Sequence, residues 1–121
     1  MTPGEALRAV CDAWEHGDPD AAAGLFAPDG VYEDPLYPAP LHGRDAIHAG
    51  LTQGMRAIED CRVTLDPVIE DGNRVLAVGF FASRLRDGGG RFDFPFAILV
   101  ELSDAGIVRL AEYFDTKPLP V

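Results

Sequence analysis

The sequence predicts an α+β domain in which a cone-shaped, curved antiparallel sheet packs on three N-terminal helices and encloses an apolar pocket. A length of 121 residues with 47% apolar residues is typical of one compact unit with a single core. Apolar residues recur at helical intervals in the first half of the chain, whereas after Asp60 they alternate with a period of two. We therefore expect residues 1–121 to form a single domain whose helices precede its main sheet.

The first half of the chain carries three helical patterns. The first extends from Pro3 to His16 with an apolar stripe along one side, and Gly17 is a typical helix end. A short second helix follows, because Asp18 is a preferred N-cap and Pro19 suits the first helical position. The third helix is predicted from Arg44 to Ile58.

Strands are predicted on both sides of the third helix. A short strand from Val31 to Asp34 leads into Pro35 to Gly43, whose prolines predict a loop. Turns rich in Asp and Gly separate the later strands, which predicts hairpins and an antiparallel meander. The strands of this meander are predicted at Cys61 to Ile69, Arg74 to Arg86, Arg91 to Leu102 and Ile107 to Asp115.

The charge of the chain excludes several classes of partner. Twenty acidic and ten basic residues give a formal net charge of -10, so the surface repels nucleic-acid phosphates and anionic lipid headgroups. No apolar stretch reaches the length of a membrane span, and the first residues lack the basic and apolar regions of a secretory signal. We expect a cytoplasmic protein that binds neither nucleic acid nor membrane.

The spacing of cysteine and histidine predicts no metal or redox site. Cys11 and Cys61 are too far apart in the sequence for a zinc knuckle or a redox pair, and we interpret them as buried, inert thiols. His16, His42 and His48 show no spacing typical of metal ligands. The sequence therefore predicts neither a metal nor a cofactor.

Two acidic side chains are predicted to enter the pocket. Tyr32 and Asp34 are two residues apart on the first strand and share one face, whereas Glu33 points the other way. On the last strand Glu112 is the single acid in an otherwise apolar row, and a lone buried carboxylate must be paired, satisfied or functional. The same alternation and the helical stripes predict the rest of the pocket lining: Val10, Trp14, Phe26, Leu51, Met55, Phe80, Ala82, Phe96, Ile98, Leu110 and Phe114.

Two interpretations of Glu112 are open at this point. If Asp34 and Glu112 approach each other in an apolar space, both cannot stay charged, and one pKa is raised. In such a pair the ionised carboxylate is a base and the protonated carboxyl is an acid. Alternatively, Glu112 pairs with Arg84, which has inward parity in its own predicted strand, and the two form a structural ion pair.

One segment resembles a known enzyme family. Residues 25–35, LFAPDGVYEDP, followed by Pro40 and by residues 43–47, GRDAI, resemble the ketosteroid isomerases. The order of elements is similar to the cone-shaped fold of nuclear transport factor 2, limonene epoxide hydrolase and SnoaL-type polyketide cyclases. The resemblance implies that Asp34, the aspartate of Glu-Asp-Pro, is the general base. In the epoxide hydrolases a Tyr at the position of Tyr32 and an Asn at that of Asp34 hold the hydrolytic water, and a carboxylate aligns with Glu112.

The chain departs from both enzyme families at other positions. The isomerases hold the forming enolate oxygen with a Tyr and an Asp at the positions of Val10 and Ile98. The epoxide hydrolases complete their site with an Arg-x-Asp pair at the positions of Phe80 and Ala82. The first departure implies a different donor to the oxygen, and the second argues against the same epoxide chemistry.

The sequence and the resemblance together predict a cofactor-independent isomerase or cyclase that acts on a hydrophobic ketone, such as a steroid or polyketide. In this hypothesis Asp34 removes a proton next to the carbonyl. Protonated Glu112, helped by Tyr32 or the Trp14 indole N–H, stabilises the enolate oxygen. The alternatives are an epoxide hydrolase that activates water with Asp34, Glu112 and Tyr32, and a non-catalytic small-molecule-binding module.

The outer face of the predicted sheet indicates a second copy of the chain as a partner. Its rows are apolar, and an extended apolar surface on a soluble protein marks an interaction site. Because most soluble oligomers are symmetric, we expect a homodimer through the sheet. The residues assigned to this face are Gly79, Phe81, Ala97, Leu99, Ala111 and Tyr113.

Overall fold

A computed structural model describes residues 1–120. The described residues form three helices and six strands, in which the helices precede the meander, and this confirms the predicted α+β class. The elements are α1 (Pro3–His16), α2 (Pro19–Gly24), β1 (Phe26–Glu33), β2 (Leu41–His42), α3 (Arg44–Ala57), β3 (Ile58–Asp71), β4 (Arg74–Leu85), β5 (Phe94–Ser103) and β6 (Gly106–Tyr113).

The sheet has the strand order β2-β1-β6-β5-β4-β3. Strands β3 to β6 form the predicted antiparallel meander. Strand β1 runs parallel to β6, so the prediction of a purely antiparallel sheet was wrong for this pair. One helix and four strands separate β1 from β6 in the chain, and a long connection of this kind is what parallel pairing requires. The predicted loop from Pro35 to Gly43 also contains β2, which pairs with Val31 and Tyr32 of β1.

The helix ends follow the capping chemistry of the sequence. Thr2 and Glu5 form a capping box, in which the Glu5 N–H donates to Thr2 Oγ1 at 3.1 Å and the Thr2 N–H donates to Glu5 Oε1 at 2.7 Å. Gly17 ends α1 in the left-handed region, with φ of 62°. Asp18 caps α2 by accepting the Ala21 N–H at 3.0 Å. Within residues 1–120, none of the helices combines the length and the apolar character that a membrane crossing needs.

The core lies between the helices and the concave face of the curved, unclosed sheet. Two register shifts in β3, between Glu59 and Arg62 and between Leu65 and Val68, interrupt its pairing with β4. Extra residues of this kind bend and twist a strand, which suits a sheet that wraps around helices. The largest fully buried side chains are Tyr32, Phe26, Leu7, Ile47, Leu51, Ile107 and Leu110.

Strand β4 turns the opposite side chains inward from those predicted. Phe81 and Ser83 are buried, whereas Val78 and Phe80 are 48% and 44% exposed on the outer face. The prediction that Phe80, Ala82 and Arg84 face inward was therefore wrong, and so was the assignment of Gly79 and Phe81 to the outer face. Both faces of β4 are apolar, so hydrophobic alternation cannot choose between them, and a shift of one residue moves every side chain to the other face.

Candidate functional site

The concave face of the sheet and the helices enclose a cavity of about 420 Å³, which lies within the range of small-molecule sites. The walls come from α1, α3, the loop after β1 and the inner rows of β3 to β6. Its lining consists of Val10, Cys11, Trp14, Asp34, Leu36, Tyr37, Pro38, Gln53, Gly54, Ala57, Ile58, Val63, Phe81, Leu85, Phe92, Phe94, Phe96, Ile98, Glu112 and Phe114. The lining is mostly apolar, so its two carboxyl groups determine its chemistry.

Asp34 reaches the cavity from the end of β1. Its Oδ1 accepts the Leu36 N–H at 2.8 Å, and its carbonyl oxygen accepts the Tyr37 N–H at 3.0 Å. Asp34 therefore starts a turn, as aspartate before proline often does, and also presents its carboxyl to the cavity. The turn holds one carboxyl oxygen, and the carboxyl also takes part in a hydrogen bond with Glu112.

Glu112 reaches the same point from β6. The Tyr32 hydroxyl donates to Glu112 Oε1 at 3.0 Å, and the Asp34 and Glu112 carboxyls share a hydrogen bond. Arg84 lies outside the cavity, is exposed, and forms its ion pairs with Asp60 and Glu59. The structure therefore joins Glu112 to Asp34, and the alternative pairing with Arg84 was wrong.

Burial and mutual repulsion divide the two carboxyls into an acid and a base. Burial raises the pKa of Glu112 well above its ordinary value, and the charge of Asp34 and the hydrogen bond between them raise this pKa further. Burial also raises the pKa of Asp34, but hydrogen bonds from Leu36 and Glu112 lower it. The shared proton therefore resides on Glu112, and Asp34 is the ionised partner.

Tyr32 supports this arrangement from behind the cavity. It is 1% exposed, stacks on Phe26 at a centroid distance of 6.1 Å, and is absent from the lining. Burial, followed by the charge of Glu112, raises the pKa of its hydroxyl well above the usual value. The hydroxyl thus remains a donor to Glu112 and holds one oxygen of that carboxyl in place.

Aromatic rings form most of the remaining wall. Phe94 stacks on Phe114 at a centroid distance of 4.1 Å and on Phe81 at 4.9 Å. Trp14 of α1 meets Phe81 edge to face at 5.7 Å. These contacts link α1 to the sheet and give the cavity a wall of packed rings around an apolar ligand.

The loop after β1 covers the cavity, and sequence reasoning missed this contribution. Leu36, Tyr37 and Pro38 all belong to the lining. The Tyr37 hydroxyl donates to the Gly50 carbonyl oxygen of α3 at 2.9 Å, which ties the loop to the helix. Gly54 gives the rings room, because a Cβ there would lie 3.0 Å from Trp14 Cη2. The signal available in the sequence was Leu36 and Tyr37, two apolar residues inside a proline-rich loop.

The structure divides the predicted lining residues into two groups. Val10, Trp14, Phe96, Ile98 and Phe114 lie in the wall of the cavity. The others lie elsewhere: Phe26, Leu51, Leu110 and Met55 are buried in the core, and Phe80 and Ala82 belong to the outward-facing row of β4. Helix α3 instead contributes the next side of its surface, Gln53, Gly54 and Ala57, because the side with Leu51 and Met55 packs into the core.

The cysteines are free thiols. Cys11 lines the cavity, and Cys61 is buried beside β4 and α1. Burial raises the pKa of each thiol to about 12, so both remain protonated and unreactive at neutral pH. Among residues 1–120, no group of three or more His, Cys, Asp and Glu side chains is arranged to hold a metal ion.

Comparison with known proteins gives a family match over most of the chain. The family model described as "SnoaL-like domain" matches residues 7–110. No curated protein matches the sequence significantly. Among solved structures, one similar protein is that from Catenulispora acidiphila with a ketosteroid isomerase-like fold, solved in complex with trimethylamine. It is 26% identical, the match covers 98% of this chain and 91% of that one, and the TM-score is 0.85.

Two further structures share the fold at lower identity. An LEH-like epoxide hydrolase from M. tuberculosis is 23% identical, with 95% of this chain and 84% of that one covered and a TM-score of 0.79. A proposed polyketide cyclase from Xanthomonas campestris is 20% identical, with 95% and 91% covered and a TM-score of 0.76. The same architecture therefore supports different chemistries, and the side chains of the cavity must distinguish among them.

Proposed function

The chain belongs to the SnoaL-like domain family, and from that premise we propose that it is a cofactor-independent isomerase or cyclase acting on a hydrophobic ketone. One observation carries the proposal: the Asp34 and Glu112 carboxyls share a hydrogen bond in an apolar cavity, where the strongly raised pKa of Glu112 favours its protonated form beside an ionised Asp34. A carboxylate with few hydrogen-bond donors is a stronger base than one in water. A neutral carboxylic acid beside it is a donor for an oxygen that becomes negative.

The proposed reaction begins when the substrate carbonyl oxygen replaces Asp34 as acceptor of the Glu112 proton. Asp34 then takes a proton from the carbon next to the carbonyl, and the electron pair of that C–H bond moves to the oxygen to form an enolate. The negative charge thus passes from Asp34 to the substrate, and the total charge of the cavity does not change. Glu112 holds the new charge through its hydrogen bond.

The fate of the enolate distinguishes the two reaction types. In an isomerase, neutral Asp34 returns its proton to a different carbon of the conjugated system. In a cyclase, the enolate carbon attacks a second carbonyl carbon of the same molecule, and the proton goes to the alkoxide that forms. Both reactions balance without an oxidant, a reductant or a metal.

Tyr32 and Trp14 have different roles in this proposal from those that the sequence predicts. Because Tyr32 lies outside the lining and donates to Glu112, it acts as a positioning residue rather than as a donor to substrate. Trp14 contributes a wall of the cavity, where its ring packs on Phe81. Glu112 then replaces the donors that the ketosteroid isomerases have at the positions of Val10 and Ile98.

The cavity supports a small apolar organic molecule as the substrate. Its volume of about 420 Å³ and its aromatic walls suit a compact ring system of two to four fused rings. The similar protein from Catenulispora acidiphila was solved with trimethylamine, which is likewise a small organic molecule.

Deuterium exchange tests the proposal directly. 2-Tetralone, a bicyclic ketone, is incubated in D₂O with the protein, and loss of the α-proton signals is followed by NMR. We expect exchange above the buffer rate, and a fall of about 10²–10⁴-fold in Asp34→Asn. Asp29→Asn, which removes the same charge from an exposed position of β1, is the matched control and should exchange like the wild type. Full exchange by Asp34→Asn would reject the proposed base.

An epoxide hydrolase is the second candidate, favoured by the hydrogen-bonded chain from Tyr32 through Glu112 to Asp34. The three groups together are able to hold a water molecule and take its proton. Incubation of limonene oxide in H₂¹⁸O distinguishes this chemistry, because hydrolysis places one labelled oxygen in the diol. If 2-tetralone or limonene oxide binds but neither deuterium exchange nor ¹⁸O labelling occurs, the protein is a non-catalytic small-molecule-binding module.

We also propose that the protein forms a homodimer through the outer face of its sheet. Leu76, Val78, Phe80 and Tyr113 are 44–54% exposed there, on adjacent strands β4 to β6. These side chains form an apolar patch next to Arg109, and burial of such a patch favours the association of two copies. Sedimentation of the wild type should give a dimer, and Phe80→Lys should give a monomer. A monomeric wild type would reject the proposal.

A further inference from the structure

The cavity contains negative charge without a positive side chain to balance it. Among residues 1–120, no Lys, Arg or His belongs to the lining. The groups that contact the carboxyl pair are the Leu36 N–H and the Tyr32 hydroxyl, both neutral dipoles. With one proton between Asp34 and Glu112, the pair carries a net charge of -1 in apolar surroundings. A buried charge of this kind is costly unless a partner is supplied.

The walls around this charge are themselves attractive to cations. Trp14, Tyr37, Phe81, Phe94 and Phe114 all contribute rings to the lining. The faces of such rings carry negative electrostatic potential, and a cation within about 6 Å of a ring centroid is attracted to it. The ring faces repel an anion, and the Tyr37 hydroxyl already donates its proton to the Gly50 carbonyl oxygen. The carboxyl pair and the aromatic wall thus favour the same sign of ligand charge.

The position of the acids defines how such a ligand would lie. Glu112 is paired across the strands with Ile98, and Phe96 and Phe114 follow two residues along each strand on the same face. The carboxyl pair therefore lies beside a row of rings rather than at the end of a polar channel. A ligand with a charged nitrogen and an attached apolar body would place the nitrogen at the acids and the body along the rings.

From this geometry we infer that the cavity binds organic cations, specifically protonated or quaternary amines that carry an apolar substituent. The inference concerns the same cavity as the proposed function but not its proton transfer. A ketone substrate that contains such a nitrogen would be held by it, and an amine without a carbonyl would occupy the cavity as a competitor. Carboxylates and phosphates of similar size would be excluded.

The test compares ligands of equal shape and different charge. Benzyltrimethylammonium and neopentylbenzene differ by replacement of the quaternary nitrogen with carbon, and phenylacetate supplies the opposite charge. Trp14 is the only tryptophan of the chain and lines the cavity, so its fluorescence reports binding. We expect the cation to bind about tenfold or more tightly than its neutral isostere, and phenylacetate to give no saturable change.

Variants locate the source of the preference. In the double variant Asp34→Asn with Glu112→Gln the side chains keep their size, and the advantage of the cation over the neutral isostere should disappear. Asp29→Asn, which removes one negative charge from the surface, should keep the preference for the cation. Circular dichroism and thermal melting verify that each variant is folded.

Three results would overturn the inference. Neopentylbenzene could bind as tightly as the cation, the preference could persist in the double variant, or none of the three ligands could bind at millimolar concentration. None of these results depends on turnover, so the inference can fail while deuterium exchange into 2-tetralone is still observed. Conversely, absence of exchange leaves a measured preference for cations intact.

Discussion

Glu33 and Asp34 are neighbours in the chain but lie in opposite electrostatic environments. On the outer face of the sheet, Arg109 binds Glu33 at 2.5 Å and Glu101 at 3.3 Å. On the inner face, Asp34 and Glu112 contact each other, and neither has a cationic partner among the described residues. Arg109 and Glu112 are only three residues apart on β6, so one short segment supplies both arrangements.

The difference between the two clusters separates stability from chemistry. The outer acids share an arginine and are partly exposed, so each carboxylate keeps its charge at little cost. The inner acids repel each other in a space with few donors, and this arrangement costs stability. A costly pair with raised pKa values inside a cavity is typical of a functional site. Substitutions in the inner pair should therefore change mainly activity, and substitutions in the outer cluster should change mainly stability.

The largest effect is expected from paired glutamate substitutions. Glu112→Gln keeps the size of the side chain but replaces its acidic O–H with a weak amide donor, and we expect the exchange rate of 2-tetralone to fall about 100-fold. Glu101→Gln makes the same change on the outer face. Its exchange rate should stay within about twofold of the wild-type rate, because distant sites act independently. Equal losses in both variants would mean that charge in general, and not the inner pair, supports activity.

A smaller effect is expected from paired tyrosine substitutions. The hydrogen bond from Tyr32 lowers the pKa of Glu112, so Tyr32→Phe should raise that pKa further. Because Glu112 acts in its protonated form, the alkaline limb of the pH–rate profile should move to higher pH. The rate at the optimum should fall about tenfold, the value of one lost hydrogen bond. Tyr113→Phe on the outer face is the control and should leave the pH–rate profile unchanged. An unchanged alkaline limb in Tyr32→Phe would contradict the positioning role of Tyr32.

The sequence predicted those features that depend on simple periodicity. Alternation on β1 assigned Tyr32 and Asp34 to one face and Glu33 to the other, and the structure shows this arrangement. Alternation on β6 likewise placed Glu112 beside Phe114 on the inner face. Around β6 the apolar Leu110 and Phe114 mark the inner face and Arg109 marks the outer one, so its pattern has one solution.

The failures came from surfaces that are apolar on more than one side. Strand β4 has Val75 and Phe81 on one face and Val78 and Phe80 on the other, and only tertiary packing selects between them. Strand β1 was expected in an antiparallel sheet, but its pairing with β6 depends on a connection that no local pattern describes. The contact between Asp34 and Glu112 also lay beyond prediction, because it joins residues almost eighty positions apart.

A stability effect is expected when the outer cluster loses its cation. Arg109→Met removes the partner of Glu33 and Glu101 while keeping the aliphatic part of the side chain. Because these groups are about one-third exposed, water screens the loss, and we expect destabilisation of about 1 kcal/mol. Chemical denaturation measures the change, and exchange of 2-tetralone should stay near the wild-type rate. A large loss of activity would show that the outer cluster also supports the cavity.

The smallest effect is a pH dependence of stability that belongs to the inner pair. In the folded state the pKa values of Glu112 and Asp34 lie above their ordinary values of 4.5 and 3.8. Between the ordinary and the raised pKa of each group, the folded state therefore holds more protons than the unfolded state. Their contribution to stability is therefore complete below the ordinary values and is lost as pH rises through the raised ones. Glu112→Gln removes most of this loss, so its Tm should exceed that of the wild type by a few degrees at pH 8, and the difference should shrink toward pH 4. Measuring the Tm of Glu101→Gln over the same pH range is the control, because this variant loses a carboxylate that is not part of the buried pair. A constant difference between Glu112→Gln and wild type across the range would mean that Glu112 does not hold the extra proton in the folded protein.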